Sequence, residues 1–271
     1  MIYDLVVIGA TFAGLGAAYA EKGNVLAVER RSQIGYEFIG AYNPATAWIL
    51  REAETEEGGR LKNELIKEGI LSDDMRIYMP EVQSFLYYRI YRDRLPVLLM
   101  TEVIAVEKQQ GIYEIEIYNA SGISRLTAKR VLDTTEGLSL RPEDRPKILR
   151  KSINAFLYGG EEAETIPAEE GMQIFPANRK GEALLSLELD VAANYIYARQ
   201  KLHDRWIRRK KSLASWTIAL MADCMGIVLD RRCFAAAEGH VLLCSACFEN
   251  PLEAFEAGIK FIEGVKDHVA V

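Results

Sequence analysis

The chain has little histidine, little cysteine, no long apolar run and no basic excess. His203, His240 and His268 are its three histidines in 271 residues, and no two stand at a metal-ligand spacing. Four cysteines are too few for a disulfide scaffold, which predicts a reducing compartment and a cytoplasmic location. No stretch of about 18 apolar residues occurs, so no membrane span is expected. The longest apolar run, Trp216 to Leu229, is broken by Asp223. The N-terminus opens on an apolar segment without a basic stretch before it, which predicts no signal peptide. Acidic residues outnumber basic ones 39 to 33, giving a formal charge of −6, the reverse of a nucleic-acid binder. No G-x-S-x-G elbow and no P-loop lysine are present, which disfavours nucleophilic serine hydrolysis and ATP hydrolysis. What remains is an ordinary globular composition, 49% hydrophobic and 27% charged. The length suits one large domain, or one with a small companion.

Residues 3–9 are a short run rich in β-branched side chains that stops at glycine, the pattern of a buried strand. Residues 12–22, small and alanine-rich, suit a helix packed tightly on a sheet, and 25–29 a second strand. This β-α-β opening predicts a parallel sheet covered on both faces. Helices are expected in 46–69 and 81–93. The run Glu52–Glu57 reads as a solvated face, and Tyr87, Tyr88 and Tyr91 as core and interface. Pro96–Glu107, Ile112–Tyr118 and Ser124–Thr127 read as three extended segments separated by turns, an antiparallel meander at 96–127. A buried strand returns at 130–134. Residues 138–150 form a polar connection, and 152–176 are partly extended. Long helices are predicted over 182–210 and 213–226, then a strand at 240–244. A last helix is expected over 251–266, with Asn250 as N-cap, Pro251 at N1 and Glu253 completing a capping-box pattern.

The strongest chemical signal is Gly9-Ala10-Thr11-Phe12-Ala13-Gly14 between the first strand and helix, with Glu29 ending the next strand. In a dinucleotide site the first glycine makes the tight turn, and the second lets the backbone approach the pyrophosphate. The third lets helix and strand pack closely. The pyrophosphate rests on the helix N-terminus, where free N–H groups and the dipole favour an anion. An acidic residue about 20 positions on accepts from the ribose hydroxyls, which fits Glu29. Thr11 replaces the middle glycine. Its side chain would crowd the pyrophosphate, or its hydroxyl would donate to it.

The stretch Tyr3–Gly35 resembles the N-terminus of the FAD-dependent oxidoreductases of the glutathione-reductase-type fold. Val28-Glu29-Arg30-Arg31 followed by Gly35 is similar to one branch of them, with Tyr36 in place of a second glycine. Thr101-Glu102-Val103 and Ala128–Gly137 resemble the meander and the strand after it, with Glu136 where the family usually has glycine. Met225–Arg232 is similar, more loosely, to a segment before the last flavin-contact strand. That strand, Val241–Cys244, runs into Ser245-Ala246-Cys247 and lacks the family's Asp. The resemblance implies FAD as cofactor. Gly9, Ala10, Thr11, Phe12, Ala13 and Gly14 would line the pyrophosphate, and Glu29 and Arg30 would hold the adenosine. Val103 would bring backbone near the adenine, and Thr135 and Glu136 would lie near the dinucleotide. Ser245, or a backbone amide near Cys247, would replace the missing Asp.

Other groupings have a functional and a plainer reading. Cys244-x-x-Cys247, between a strand and a helix, suits a redox pair, a four-thiolate site with Cys224 and Cys233, or small buried side chains. His240 reaches a flavin pocket or lies on a partly exposed loop. Arg205, Arg208, Arg209, Lys210 and Lys211 around Trp206 suit a phosphate-bearing partner or a membrane surface, or else the cationic end of an exposed helix.

Together these readings predict an α/β protein: a Rossmann-like FAD-binding fold with a parallel sheet, an inserted antiparallel β-meander and a small second region. Residues 1–150 and 215–271 would form the FAD-binding domain, and 151–214 a short, mainly helical substrate or cap region. The expected function is an FAD-dependent oxidoreductase that moves a hydride between a small organic substrate and flavin. The alternatives are a non-catalytic nucleotide-binding or interaction protein on a degenerate form of the fold, or a binder of another adenine nucleotide. No catalytic residue and no metal ligand is assigned.

Overall fold

β1 (Ile2–Ile8) is apolar on both faces along its second half, and it lies at the centre of the larger of two sheets. It pairs in parallel with β2 (Val25–Val28) on one side and with β6 (Gly122–Asp133) on the other. A short β3 (Val97–Leu98) extends the sheet beyond β2. On the far side β13 (His240–Leu243) joins β6 in parallel, and β12 (Cys233–Ala237) closes that edge as an antiparallel hairpin. The computed structural model describes residues 1–43, 52–72, 76–159, 171–248 and 250–264.

β6 is one continuous strand of 12 residues where the sequence suggested two. Its first part pairs antiparallel with β5 (Ile112–Asn119), which pairs with β4 (Glu102–Gln109) to complete the meander. Its second part pairs in parallel with β1. No turn residue stands at Ala128-Lys129, so the strand passes from meander to sheet without a break, and at Thr127 and Ala128 it pairs with both neighbours at once.

α1 (Phe12–Ala20) and α6 (Pro251–Glu263) cover one face of this sheet. They meet backbone to backbone. A Cβ on Gly16 would fall 1.9 Å from Phe255 O, and one on Gly258 would fall 2.0 Å from Ala13 O. Any side chain at either position would push the two helices apart. Asn250 caps α6 by accepting from Glu253 N at 2.9 Å.

α3 (Glu56–Lys67) and α4 (Met79–Arg92) pack alongside. Residues 46–51 of the first helix expected here lie outside the described residues. Of the run read as a solvated face, Glu52, Glu54 and Glu56 are exposed, whereas Glu57 is partly buried. It pairs with Arg89, which is 1% exposed, also pairs with Glu64 at 3.0 Å and lies over the Tyr19 ring. Tyr88 and Tyr91 are exposed, and the Tyr87 hydroxyl donates to Ser32 O.

The second region is a sheet and not the mainly helical one expected. β7 (Ile148–Tyr158) pairs antiparallel with β9 (Glu182–Leu189) and, on its other edge, with β10 (Thr217–Met221) and β11 (Gly226–Leu229). β8 (Gln173–Pro176) flanks β9. The helix expected over 182–210 forms only in its second half, and the one expected over 213–226 is replaced by β10, which pairs with β7. Glu182–Leu189 has helix-forming composition, but it lies between two strands and buries Ala183, Leu184, Leu185, Leu187 and Leu189, so tertiary pairing overrides local preference. Among the described residues of this region α5 (Tyr195–Ile207), capped by Asn194, is the one α-helix, followed by a short 3-10 turn at Lys211–Leu213. This sheet draws on residues from 148 to 229, a wider span than 151–214. The expected basic cluster closes the end of α5. Arg209 stacks on the buried Trp206 ring at 4.6 Å and donates to Leu213 O and Trp206 O.

Candidate nucleotide site

Gly9 ends β1 with φ +95°, a backbone shape that side chains resist, and a Cβ there would fall 2.8 Å from Thr135 Cγ2. Gly14, one turn into α1, lies 2.1 Å from Gly9 O at its would-be Cβ, so helix and loop pack without a gap. The glycines at the ends of the motif therefore act as the pattern requires. Thr11 in the middle is the N-cap of α1. Its hydroxyl accepts from Gly14 N at 3.0 Å and donates to Thr134 Oγ1 at 2.7 Å, so it is committed within the loop.

A cleft of about 590 Å³ opens between the ends of β1, β2 and β6 and the start of the meander. It brings together Gly9, Glu29, Arg30, Val103 and Thr135, all residues singled out in the sequence. Backbone bonds place them. Glu29 N donates to Leu98 O, Thr101 N to Glu29 O and Met100 N to Arg31 O, which fastens the entry to β4 over the end of β2. Glu29 is 4% exposed. Its Oε2 accepts from Ala10 N at 3.0 Å and its Oε1 from Arg31 N at 2.9 Å. Burial pushes its carboxyl above the ordinary range, against those two N–H groups and the charges of Arg31 and Arg30.

The opposite wall of the cleft is the loop after β6, and Asp133 holds it. Asp133 is fully buried and accepts four bonds. Thr135 N and Thr135 Oγ1 reach Oδ1 at 2.9 and 2.5 Å, and Ser139 N and Ser139 Oγ reach Oδ2 at 2.9 and 2.6 Å. Ser139 Oγ also meets His240 Nε2 at 2.9 Å. Because the serine donates to Asp133, the imidazole must donate to the serine, and the trio is no nucleophile–base pair. His240 is 6% exposed and packs edge-on against Tyr113, so it is a core residue and not a loop histidine; burial lowers its pKa, opposed by Asp133.

The other half of the site has a different character. The N-terminus of α1 should offer free N–H groups to a diphosphate. Here Phe12 N donates to Glu37 Oε1 at 2.8 Å, Ala13 N to Ser245 Oγ at 3.1 Å and Gly14 N to Thr11 Oγ1. Ser245 Oγ donates in turn to Glu37 Oε1 at 2.6 Å. Glu37 comes from α2 (Tyr36–Ile39), a single turn held by Gly35 N on Ala10 O and by Asp223 N on Gly40 O. Burial raises the Glu37 carboxyl to about 7, against the hydrogen bonds from Ser245 and Phe12. Glu37 Oε2 is buried and has no hydrogen-bond partner among the described residues. Beside it lies a pocket of only about 50 Å³, lined in part by Thr11, Glu37, Thr135, Glu136, Cys224 and Ala246.

Ser245 thus lies at the N-terminus of α1, where its hydroxyl faces a carboxylate. Cys247 lines neither cavity. Its thiol donates to Arg231 O at 3.3 Å, and its amide bonds Cys244 O within a short turn. The Cys244 and Cys247 thiols bond each other, which holds the pKa of Cys244 up and that of Cys247 down. Cys224 donates to Tyr36 O instead. Among the described residues no three His, Cys, Asp or Glu side chains gather as metal ligands. Sequence reasoning passed over Glu37. Its one signal was an acidic residue in the first turn of whatever follows Gly35. Arg141 and Arg145 on the cleft rim were also missed, because a polar connection carries no periodic mark.

No family model and no curated protein matches the sequence. Solved structures do resemble it. Aklavinone-11 hydroxylase, in a ternary complex with FAD and aklavinone, matches with a TM-score of 0.62 at 14% identity over 97% of this chain and 62% of its own. A geranylgeranyl bacteriochlorophyll reductase-like protein from Thermoplasma acidophilum matches with 0.61 at 16% identity, over 97% and 77%. L-α-glycerophosphate oxidase from Mycoplasma pneumoniae, with FAD bound, matches with 0.60 at 12% identity, over 97% and 95%. The chain thus spans about three fifths of the hydroxylase and nearly all of the oxidase. The fold is the α/β, Rossmann-like FAD-binding fold, with a mixed main sheet and a second, antiparallel sheet. Among the described residues no helix is long and apolar enough to cross a membrane.

Proposed function

We propose that the chain is a nucleotide-binding protein of the flavin-oxidoreductase class that takes the adenosine end of its ligand in the cleft under the meander. One observation carries this reading. Gly9, Glu29, Arg30, Val103 and Thr135 come from separate segments and meet around about 590 Å³, a size that suits a nucleoside. FAD is the ligand that the fold favours, and hydride exchange between a small organic substrate and flavin is the activity that would go with it.

The residues fit the adenosine half of FAD and not the rest in the state described. The helix N–H groups that a diphosphate needs are taken by Glu37, Ser245 and Thr11. The adjoining pocket of about 50 Å³ is far below the roughly 300 Å³ of a small-ligand site, too small for a flavin ring. The same carboxylate favours a second reading, a non-catalytic adenine-nucleotide binder on this fold.

The absorption spectrum of the purified protein, before and after incubation with excess FAD and gel filtration, tests the choice. Parallel calorimetric titrations with adenosine and ADP complete the test. Retained flavin bands support the oxidoreductase. Adenosine binding without retained flavin supports the second reading. Failure of all three ligands to bind refutes both.

A further inference from the structure

The N-terminus of α1 is not vacant: a side chain of the same protein sits where an anionic ligand would. We propose that Glu37 determines ligand class at this site. Its carboxylate is a built-in occupant of the diphosphate cradle, so a dinucleotide binds only when Glu37 leaves the helix end, whereas an adenine nucleoside enters the cleft with Glu37 in place. The inference rests on the reading of the cleft as an adenosine site.

Three observations carry it. First, Glu37 Oε1 accepts from Phe12 N at 2.8 Å and from Ser245 Oγ at 2.6 Å, and Ser245 Oγ accepts from Ala13 N. One carboxylate thereby collects, directly or through one hydroxyl, two of the N–H groups that an anion would use. Second, the carboxylate is incompletely satisfied. Its Oε2 is buried without a hydrogen-bond partner, and no lysine or arginine pairs with it among the described residues. A buried carboxylate in that condition is poorly stabilised and is the part of the site most readily displaced. Third, the cradle adjoins the open cleft through shared residues, since Glu29 and Thr135 line both cavities. A ligand seated in the cleft and carrying phosphates would direct them at Glu37.

Charge sets the direction of the effect. Glu29 from the end of β2, Glu136 from the loop after β6, and Cys224 and Tyr36 share the small pocket with Glu37, and Arg31 is its one cation among the described residues. Arg31 lies over the Tyr36 ring at 3.8 Å. A diphosphate beside three carboxylates is repelled, so Glu37, turned off the helix N–H groups but still lining the pocket, takes up a proton as the diphosphate binds. Because burial raises the Glu37 carboxyl to about 7, its charge is lost as the pH falls through neutrality. Dinucleotide affinity should therefore rise from about pH 8 to about pH 6, while nucleoside affinity stays level.

The test is calorimetric titration of the wild type, Glu37→Gln and Glu37→Ala with adenosine, ADP, FAD and inorganic pyrophosphate at those two pH values. Adenosine is expected to bind all three proteins alike. ADP and FAD are expected to bind both variants roughly tenfold or more tighter than the wild type at the higher pH, and FAD, whose diphosphate does not titrate in this range, should bind the variants without pH dependence. Pyrophosphate should raise the melting temperature of the variants and not that of the wild type. Glu37→Gln keeps an acceptor for Phe12 N, so it separates loss of charge from loss of fold. Equal FAD or ADP affinity in wild type and variants overturns the proposal, as does a variant pair that gains no phosphate ligand. If adenosine fails to bind but pyrophosphate stabilises the variants, the cleft reading falls and the role of Glu37 stands.

Discussion

The same six-residue loop, Gly9 to Gly14, faces two cavities of unlike character. On the meander side it borders about 590 Å³, and on the α2 side about 50 Å³. The open side is walled by backbone: the end of β1, the stitched crossing from β3 to β4, and a loop held by Asp133. The closed side is filled by side chains, namely Glu37, Ser245 and Thr11, each bonded to a helix N–H group or to one another. The difference shows that one segment can border an open cleft on one side while the helix N–H groups on its other side are satisfied internally. Main-chain geometry builds the first, and only a few side chains decide the second.

The largest break in this comparison should come from Asp133→Ala. It removes a fully buried acceptor of four hydrogen bonds and leaves Thr135 and Ser139 donors without partners. A loss of about 3–5 kcal/mol in urea unfolding is expected, and adenosine binding should vanish even under conditions where the variant remains folded. An unchanged cleft affinity would mean that the loop is not its wall.

A smaller effect sharpens the closed side. Glu37 has a folded-state pKa of about 7, above the ordinary carboxyl value of 4.5, so the native state holds a proton that the unfolded chain has released between those values. Its contribution is fully present below the lower value and is lost as pH rises through the upper one. Glu37→Gln should remove that slope. The stability gap between variant and wild type should grow in favour of the variant by on the order of 2 kcal/mol across this window. Parallel pH–stability curves for the two proteins would show that Glu37 does not titrate there.

The smallest effect belongs to Glu29→Gln. Each Glu29 oxygen accepts a backbone N–H, from Ala10 and from Arg31, and a carboxamide can satisfy only one of them. A loss of about 1–2 kcal/mol is expected. The preference for adenosine over 2′-deoxyadenosine should fall with it, measured by titrating both nucleosides.

Much of this was readable from residue order. The β-α-β opening, the capped last helix, the meander and the convergence of Gly9 and Glu29 all follow from local signals: glycine spacing, period-two alternation, and an N-cap followed by proline. These depend on neighbours within about 20 residues, and sequence preserves that information directly. The second sheet was not readable, because Glu182–Leu189 carries helix-forming residues and becomes a strand only when β7 and β8 pair with it. His240 was misplaced for a similar reason: its burial depends on Tyr113 and Ser139, each more than a hundred residues away. The state of the α1 N-terminus was the least legible feature of all. Phe12, Glu37 and Ser245 lie far apart along the chain, and nothing local to any of them marks a contact. Residue order by itself determined the Rossmann-like β-α-β opening and the meeting of Gly9 with Glu29 at its end. Only the tertiary structure decided that a carboxylate from α2 and a hydroxyl from the end of β13 meet at the N-terminus of α1, because that meeting depends on packing between distant segments and not on the preferences of any one of them.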